Sequence, residues 1–261
     1  MLFFAIIKAQ MTNIIEVSNL TKKYEDKTVV DHISFDVKKG EIFGILGPNG
    51  AGKTTTLEMM ETLREIDEGF VIVNGIDVSK NPQKVKYIIG VQPQTPAFQD
   101  KTKASEIIEL FAAAYGIKVK PIEFLNDVNL GEKANSYVEK LSGGQKQRLS
   151  IAAALVHKPK VFFLDEPTTG LDPQARMNLW ELVKKVRDSG VTIIMTTHYM
   201  EEAEMLCDRV AIMDKGKIIN IDTPANLIKQ LIGRGFKKKH VVEQATLEDV
   251  FIDLTGKALR D

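Results

Sequence analysis

The chain has 261 residues, of which 44% are hydrophobic and 27% charged, with 35 lysines and arginines against 35 aspartates and glutamates. That length can bury a sizeable core in one or two domains, and the balanced charge removes the electrostatic argument for general nucleic-acid binding. Four histidines and the single Cys207 support neither a disulfide framework nor a zinc site, and they fit a reducing cytosolic setting.

The sequence opens on MLFFAII, residues 1–7, the nearest approach to a membrane span and well short of the roughly 20 apolar residues one needs. It has no basic n-region and no small-residue cleavage site, so it reads as an N-terminal extension over residues 1–13 rather than a signal peptide. Met11 is an alternative start, and a peripheral membrane anchor is the other reading. Residues 14–18, 29–37 and 41–46 then read as strands, and a Gly-rich loop leads into a helix over 53–63. Residues 70–73 with the Asn74-Gly75 turn read as a hairpin, and 87–91 as another strand. From about residue 95 the strand signals vanish, giving a helical insert over about 95–158 that contains helices at 104–115 and from Ser142 to Val156. Strands return at 161–164 and 191–196 and in a hairpin over 210–221 that turns at Lys215-Gly216. A helix over 173–187 closes at Gly190. The last helix has Thr246 as its N-cap and Leu247, Val250, Phe251 and Leu254 on one apolar face. Strands alternating with helices predict an α/β fold with a mainly parallel sheet covered on both sides.

Gly47-Pro48-Asn49-Gly50-Ala51-Gly52-Lys53-Thr54 fits the phosphate-loop pattern G-x-x-x-x-G-K-[ST] in full, after a strand and before a helix. Glycines let successive backbone N–H groups curl around phosphate oxygens, and the helix N-terminus adds its partial positive charge. Lys53 supplies a point charge for the β- and γ-phosphates, and the Thr54 hydroxyl suits Mg²⁺. Thr55 completes the nucleotide-binding set. The apolar run Val161-Phe162-Phe163-Leu164 ends in Asp165 and Glu166, which places two carboxylates at the sheet edge where α/β folds bind ligands. Asp165 suits Mg²⁺ coordination, and Glu166 suits a general base acting on water.

Leu141-Ser142-Gly143-Gly144-Gln145 opens a strong helix. Ser142 is a good N-cap, and the two glycines point to close backbone approach and a second anion-binding helix terminus. This LSGGQ, standing between phosphate loop and acidic pair, resembles the signature of the ABC ATPase superfamily over essentially the whole chain from about residue 14. The resemblance implies a P-loop NTPase core with an N-terminal antiparallel β-subdomain and a helical insert, a cassette over 14–230 and a tail over 231–261. It implies ATP and Mg²⁺ as ligands and a head-to-tail pair of cassettes, homodimeric or heterodimeric, so that Ser142, Gly143, Gly144 and Gln145 face the nucleotide held by the other subunit.

By the same resemblance Tyr24 stacks on adenine, and Gln94 senses Mg²⁺ and water, with Gln92 as the alternative. Asp172 crosses the dimer interface while also reading as an N-cap before Pro173. His198 is the switch residue on the γ-phosphate. Glu166, His198 and Gln94 are thus the catalytic candidates, and Thr54, Gln94 and Asp165 the metal ligands. The segments 201–214 and 245–261 look like ATPase subunits of bacterial drug- and lipid-type exporters, the daunorubicin-resistance type among them. That implies an integral membrane permease as partner, a place on the cytoplasmic face of the cell membrane, and no nucleic acid. The competing reading is an ABC-type ATPase acting on DNA or the ribosome. The short insert argues against the first and the single cassette against the second. A kinase or GTPase would leave LSGGQ unexplained and would lack the N-K-x-D motif.

Overall fold

The computed structural model describes residues 13–236 and 247–255. Residues 1–12 of the expected extension, the expected cap Thr246 and the side chains of Leu247 and Phe251 lie outside the described residues, while Asn13 already belongs to the first strand.

From β1 (Asn13–Tyr24) the chain turns into β2 (Lys27–Lys38), then β3 (Ile42–Leu46), the phosphate loop and α1 (Lys53–Met60). β4 (Glu68–Val73) and β5 (Ile76–Asp77) make the hairpin at Asn74-Gly75, followed by α2 (Pro82–Lys86) and β6 (Ile89–Gln92). The insert holds α3 (Ala104–Ala114), α4 (Pro121–Asp127) and α5 (Gly143–Leu155). Then come β7 (Val161–Asp165), α6 (Pro173–Asp188), β8 (Thr192–Thr197), α7 (Met200–Leu206), the hairpin of β9 (Arg209–Asp214) and β10 (Lys217–Asp222), α8 (Pro224–Gly233) and α9 (Leu247–Thr255). A boundary at residue 230 falls inside α8.

Two sheets result. The smaller is antiparallel in the order β2-β1-β4-β5; the larger runs β10-β9-β3-β8-β7-β6, parallel except for its β10 edge. Alternation along the central strands divides the core between them. Phe43, Ile45, Val161, Phe163, Ile194, Ala211 and Met213 face the antiparallel sheet and α1. Their neighbours Ile42, Leu46, Phe162, Leu164, Ile193, Met195, Val210 and Ile212 face the helices, including Leu227 of α8 and Val250 of α9.

Two differences from the sequence reading have physical causes. β1 continues past Ser18 to Tyr24 because register shifts against β2 between Val17 and Leu20 and again before Lys23 break the period-two pattern without ending the pairing. α1 stops at Met60 rather than residue 63, since Thr62 adopts a left-handed φ of 64°.

Candidate active site

Strands β3, β8, β7 and β6 lie side by side in that order and run parallel, so their C-terminal ends share one edge. Each brings one part of the site there. From β3 comes the phosphate loop, whose last glycine, Gly52, takes φ 104° at the N-cap of α1; a Cβ there would stand 2.6 Å from the Val29 carbonyl oxygen. Lys53 is buried, and its Nζ donates to the carbonyl oxygens of Gly47 at 2.9 Å and Pro48 at 3.2 Å. The same Nζ lies 3.1 Å from Glu166 Oε1.

From β7 come the two acids, held differently. Asp165 Oδ1 accepts from Thr54 Oγ1 at 3.2 Å and from Thr196 Oγ1 at 2.5 Å. Burial still pushes its carboxyl above the usual range. Glu166 has a left-handed φ of 44°, fixed by its N–H donating to Thr196 at 3.0 Å to the hydroxyl and 3.2 Å to the carbonyl. Its Oε2 receives His198 Nδ1 at 3.1 Å, Gln94 Nε2 at 3.2 Å and Thr169 Oγ1 at 3.3 Å. The His198 hydrogen bond, with the nearby Lys53 charge, outweighs burial and holds its pKa at about 2.

The two glutamines at and beyond the end of β6 make different contacts. Gln92 is fully buried and donates to Gln147 Oε1 at 2.6 Å and to Pro93 O at 2.7 Å. Gln147, on α5, donates in turn to the Gln94 carbonyl at 3.1 Å. Gln92 is therefore a clamp to α5, and Gln94 is the glutamine whose side chain reaches the acids.

Ser142, Gly144 and Asp172 gather elsewhere, around a cavity of about 200 Å³ also lined by Arg148, Gln174, Ala175 and Asn178. Ser142 and Gln145 form a capping box at α5, with Gln145 N donating to Ser142 Oγ at 3.3 Å and Ser142 N to Gln145 Oε1 at 2.9 Å. Asp172 caps α6 by accepting from Ala175 N at 2.8 Å. A Cβ added to Gly144 would stand 3.2 Å from Ala175 Cβ, while Gly143 faces open space. Among the described residues no hydrogen bond, ion pair or ring contact joins this group to Lys53, Asp165, Glu166, Gln94 or His198. Tyr24 is also separate. Its hydroxyl accepts from Arg64, which pairs with Glu58 of α1 at 2.6 Å, and Lys22 Nζ lies 5.5 Å from its ring centre.

Sequence reasoning passed over Thr196, Gln147 and Arg64. Thr196 had a signal, a hydroxyl ending an apolar strand beside the acids; the other two had none.

The sequence profile described as ABC transporter matches residues 30–169, which takes in the phosphate loop, Ser142 to Gln145, Asp165 and Glu166 but not Asp172 or His198. The chain belongs to the ABC transporter family. The cassette is 44% identical to the linearmycin resistance ATP-binding protein of Bacillus subtilis over 224 residues, covering 84% of this chain and 72% of that one. It is 41% identical to a Nod factor export ATP-binding protein of Ralstonia nicotianae, over 85% and 71% of the two chains. Among solved structures, an ATP-binding subunit of an ABC transporter superposes with a TM-score of 0.80 at 29% identity, covering 93% of this chain and 99% of the other. A dimeric ATP-binding cassette in a post-hydrolysis state, bound to ADP and Pi, superposes with a TM-score of 0.72 at 26% identity, over 80% and 98%. As a member of this family the chain is an ATP-hydrolysing subunit of a transporter. Among the described residues no helix is long and apolar enough to cross a membrane.

Proposed function

We propose that two such cassettes close head to tail over two ATP molecules and thereby drive a separate integral membrane subunit to export an amphiphilic, drug- or lipid-like compound. The observation that carries this reading is the convergence of Lys53, Gln94 and His198 on the single carboxylate of Glu166. In this reading residues 14–230 are the cassette, with residues 1–13 as an extension and 231–261 as a tail. The helical insert faces the permease, and the assembly sits on the cytoplasmic face of the membrane and binds no nucleic acid. The relatives that export Nod factor or confer linearmycin resistance support the cargo class.

In this reading each residue takes one part. The Gly47–Thr54 loop and Thr55 bind the phosphates, and Tyr24 stacks on the adenine with one ring face. Lys53 and His198 both hold Glu166 while both are γ-phosphate ligands by position. When they turn to phosphate, Glu166 loses the two partners that keep its pKa near 2, and its basicity rises as the attacking water arrives. Gln94 orients that water against Glu166. The Thr54 hydroxyl and the Asp165 carboxylate meet 3.2 Å apart as two hard oxygen donors, which fits Mg²⁺, with Gln94 as a further ligand. Mg²⁺, when bound, neutralises charge on the β- and γ-phosphates. Ser142, Gly143, Gly144, Gln145 and Asp172, remote from their own chain's Lys53, serve the nucleotide of the partner cassette.

Replacing Glu166 with Gln tests this. ATP turnover should fall by about 100-fold or more, while ATP should now trap a stable dimer visible by light scattering. Wild-type hydrolysis together with no ATP-stabilised dimer overturns the proposal. Copurification with ribosomes or DNA, instead of a membrane protein of several spans, overturns the transport part.

A further inference from the structure

The hydrolytic group and the Ser142–Asp172 group lie apart in one chain, yet a stack of side chains runs from one toward the other. The His198 ring, whose Nδ1 contacts Glu166, lies against the ring of Tyr199, with centres 4.1 Å apart at 41°. The other contact of Tyr199 is with Arg176, whose guanidinium carbon stands 4.9 Å from the ring centre. Arg176 belongs to the first turn of α6, and its N–H donates at 3.0 Å to the carbonyl of Asp172, the residue that caps that helix.

Arg176 is poorly occupied by anything else. Its Nε is buried with no hydrogen-bond partner, and the nearest carboxylate, the exposed Glu201, is 3.9 Å away. A buried guanidinium nitrogen left unpaired is costly. The contact with the Tyr199 face is the ring contact of this side chain, a partly desolvated cation attracted by the ring's quadrupole. One turn further along α6, Trp180 Nε1 donates at 3.1 Å to the buried Glu202 of α7. That second tie also joins α7 to α6, and Arg176 reaches Glu201 and acts on the charge of Glu202 on the same helix.

We propose that Arg176 is a positioning residue for ATP hydrolysis: it clamps Tyr199 against His198 and so sets the switch histidine from the helix that Asp172 opens. This rests on the roles given above to His198 and Asp172, and it adds a physical route between them. A partner cassette that engages Asp172 would shift the first turn of α6, and the Arg176–Tyr199 contact would pass that shift to His198 in the chain's own site.

The test uses the full chain with Arg176→Ala, Arg176→Lys, Tyr199→Ala and Tyr199→Phe. The His198 ring protons, followed by NMR without nucleotide, should move in both alanine variants, because the Tyr199 ring leaves or tilts. They should stay near their wild-type positions in Tyr199→Phe and move less in Arg176→Lys than in Arg176→Ala. ATP turnover should drop roughly tenfold in the alanine variants, with nucleotide affinity unchanged. In a His198→Ala background, Arg176→Ala should slow turnover no further. Unmoved His198 resonances in Arg176→Ala, or a full additional loss in the His198→Ala background, overturn the proposal. Wild-type turnover in Arg176→Ala beside an inactive Glu166→Gln chain strikes this inference alone, whereas a fully active Glu166→Gln chain strikes the proposed function itself.

Discussion

Three carboxyl groups near the phosphate-loop helix have their pKa values shifted differently by their surroundings. Glu166 has a histidine, an ammonium and an amide, and its pKa is held at about 2. Asp165 has two hydroxyls, which only partly offset burial. Glu61, which caps the C-terminus of α1, has neither: it is buried, its Oε1 has no hydrogen-bond partner, and burial pushes its pKa up to about 8, with Asp165 and Glu58 adding repulsion. The consequence for stability has a definite sign. A folded pKa of about 8 against an ordinary 4.5 means that the folded chain holds more protons than the unfolded one between those values. Stability therefore falls as pH rises through that window, by at most about 1.4 kcal/mol per pH unit. Glu61→Gln removes the titration. Its melting temperature should pull ahead of wild type progressively between pH 5 and 8, by about 2–4 °C for each kcal/mol recovered. A difference that is constant across that range would remove Glu61 from the pH dependence.

At the scale of elements, two adjacent glycines at one helix start have unequal surroundings, which makes them separable by mutation. Nothing lies within 4 Å of a Cβ built on Gly143, whereas one on Gly144 meets Ala175 Cβ at 3.2 Å, across the contact between α5 and α6. Gly143→Ala should raise the unfolding free energy by about 0.4–1 kcal/mol, since its added methyl restricts the unfolded chain and meets nothing. Gly144→Val should lower it by about 1–3 kcal/mol through overpacking against α6. Chemical denaturation measures both, and equal effects would mean that the helices do not meet there. The helix itself was legible in the sequence: Ser142 as cap, the run to Val156 and the stop at Pro159 match α5 to within a residue. So were the phosphate loop, the buried strand ahead of Asp165 and the hairpin turns, because each couples a strong local pattern to a turn residue. α2, α4 and α8 were not, although each has proline in its first turn; at 5 to 10 residues they are too short for helical periodicity to stand out. The clamp of Gln92 by Gln147 was illegible for a different reason, being a contact between residues 55 positions apart. Local pattern names the residues at the strand ends. The strand order alone makes them one site.

For the whole molecule, the decisive fact is that one chain carries two groups of candidate residues that no hydrogen bond, ion pair or ring contact joins among the described residues. Lys53, Asp165, Glu166, Gln94 and His198 share the edge of the parallel sheet, while Ser142, Gly144 and Asp172 line a cavity between α5 and α6. If each half completes its counterpart in a second chain, lesions in the two halves must complement in trans. Take a chain with Glu166→Gln, which lacks the base, and a chain with Ser142→Arg, which fills the cavity and removes the cap of α5. In a mixed head-to-tail dimer one composite site collects both lesions and the other collects none. Either variant alone should be nearly inactive. Random mixing at equal amounts puts half of the dimers in the mixed form with one intact site of two, so turnover should return to about a quarter of wild type. Sites completed within a single chain would give no recovery at any ratio. The size of the recovery also bears on independence: a value well below a quarter, with mixed dimers shown to form, would mean that each composite site needs its neighbour, the behaviour expected if α6 relays engagement at Asp172 to His198 through Arg176 and Tyr199.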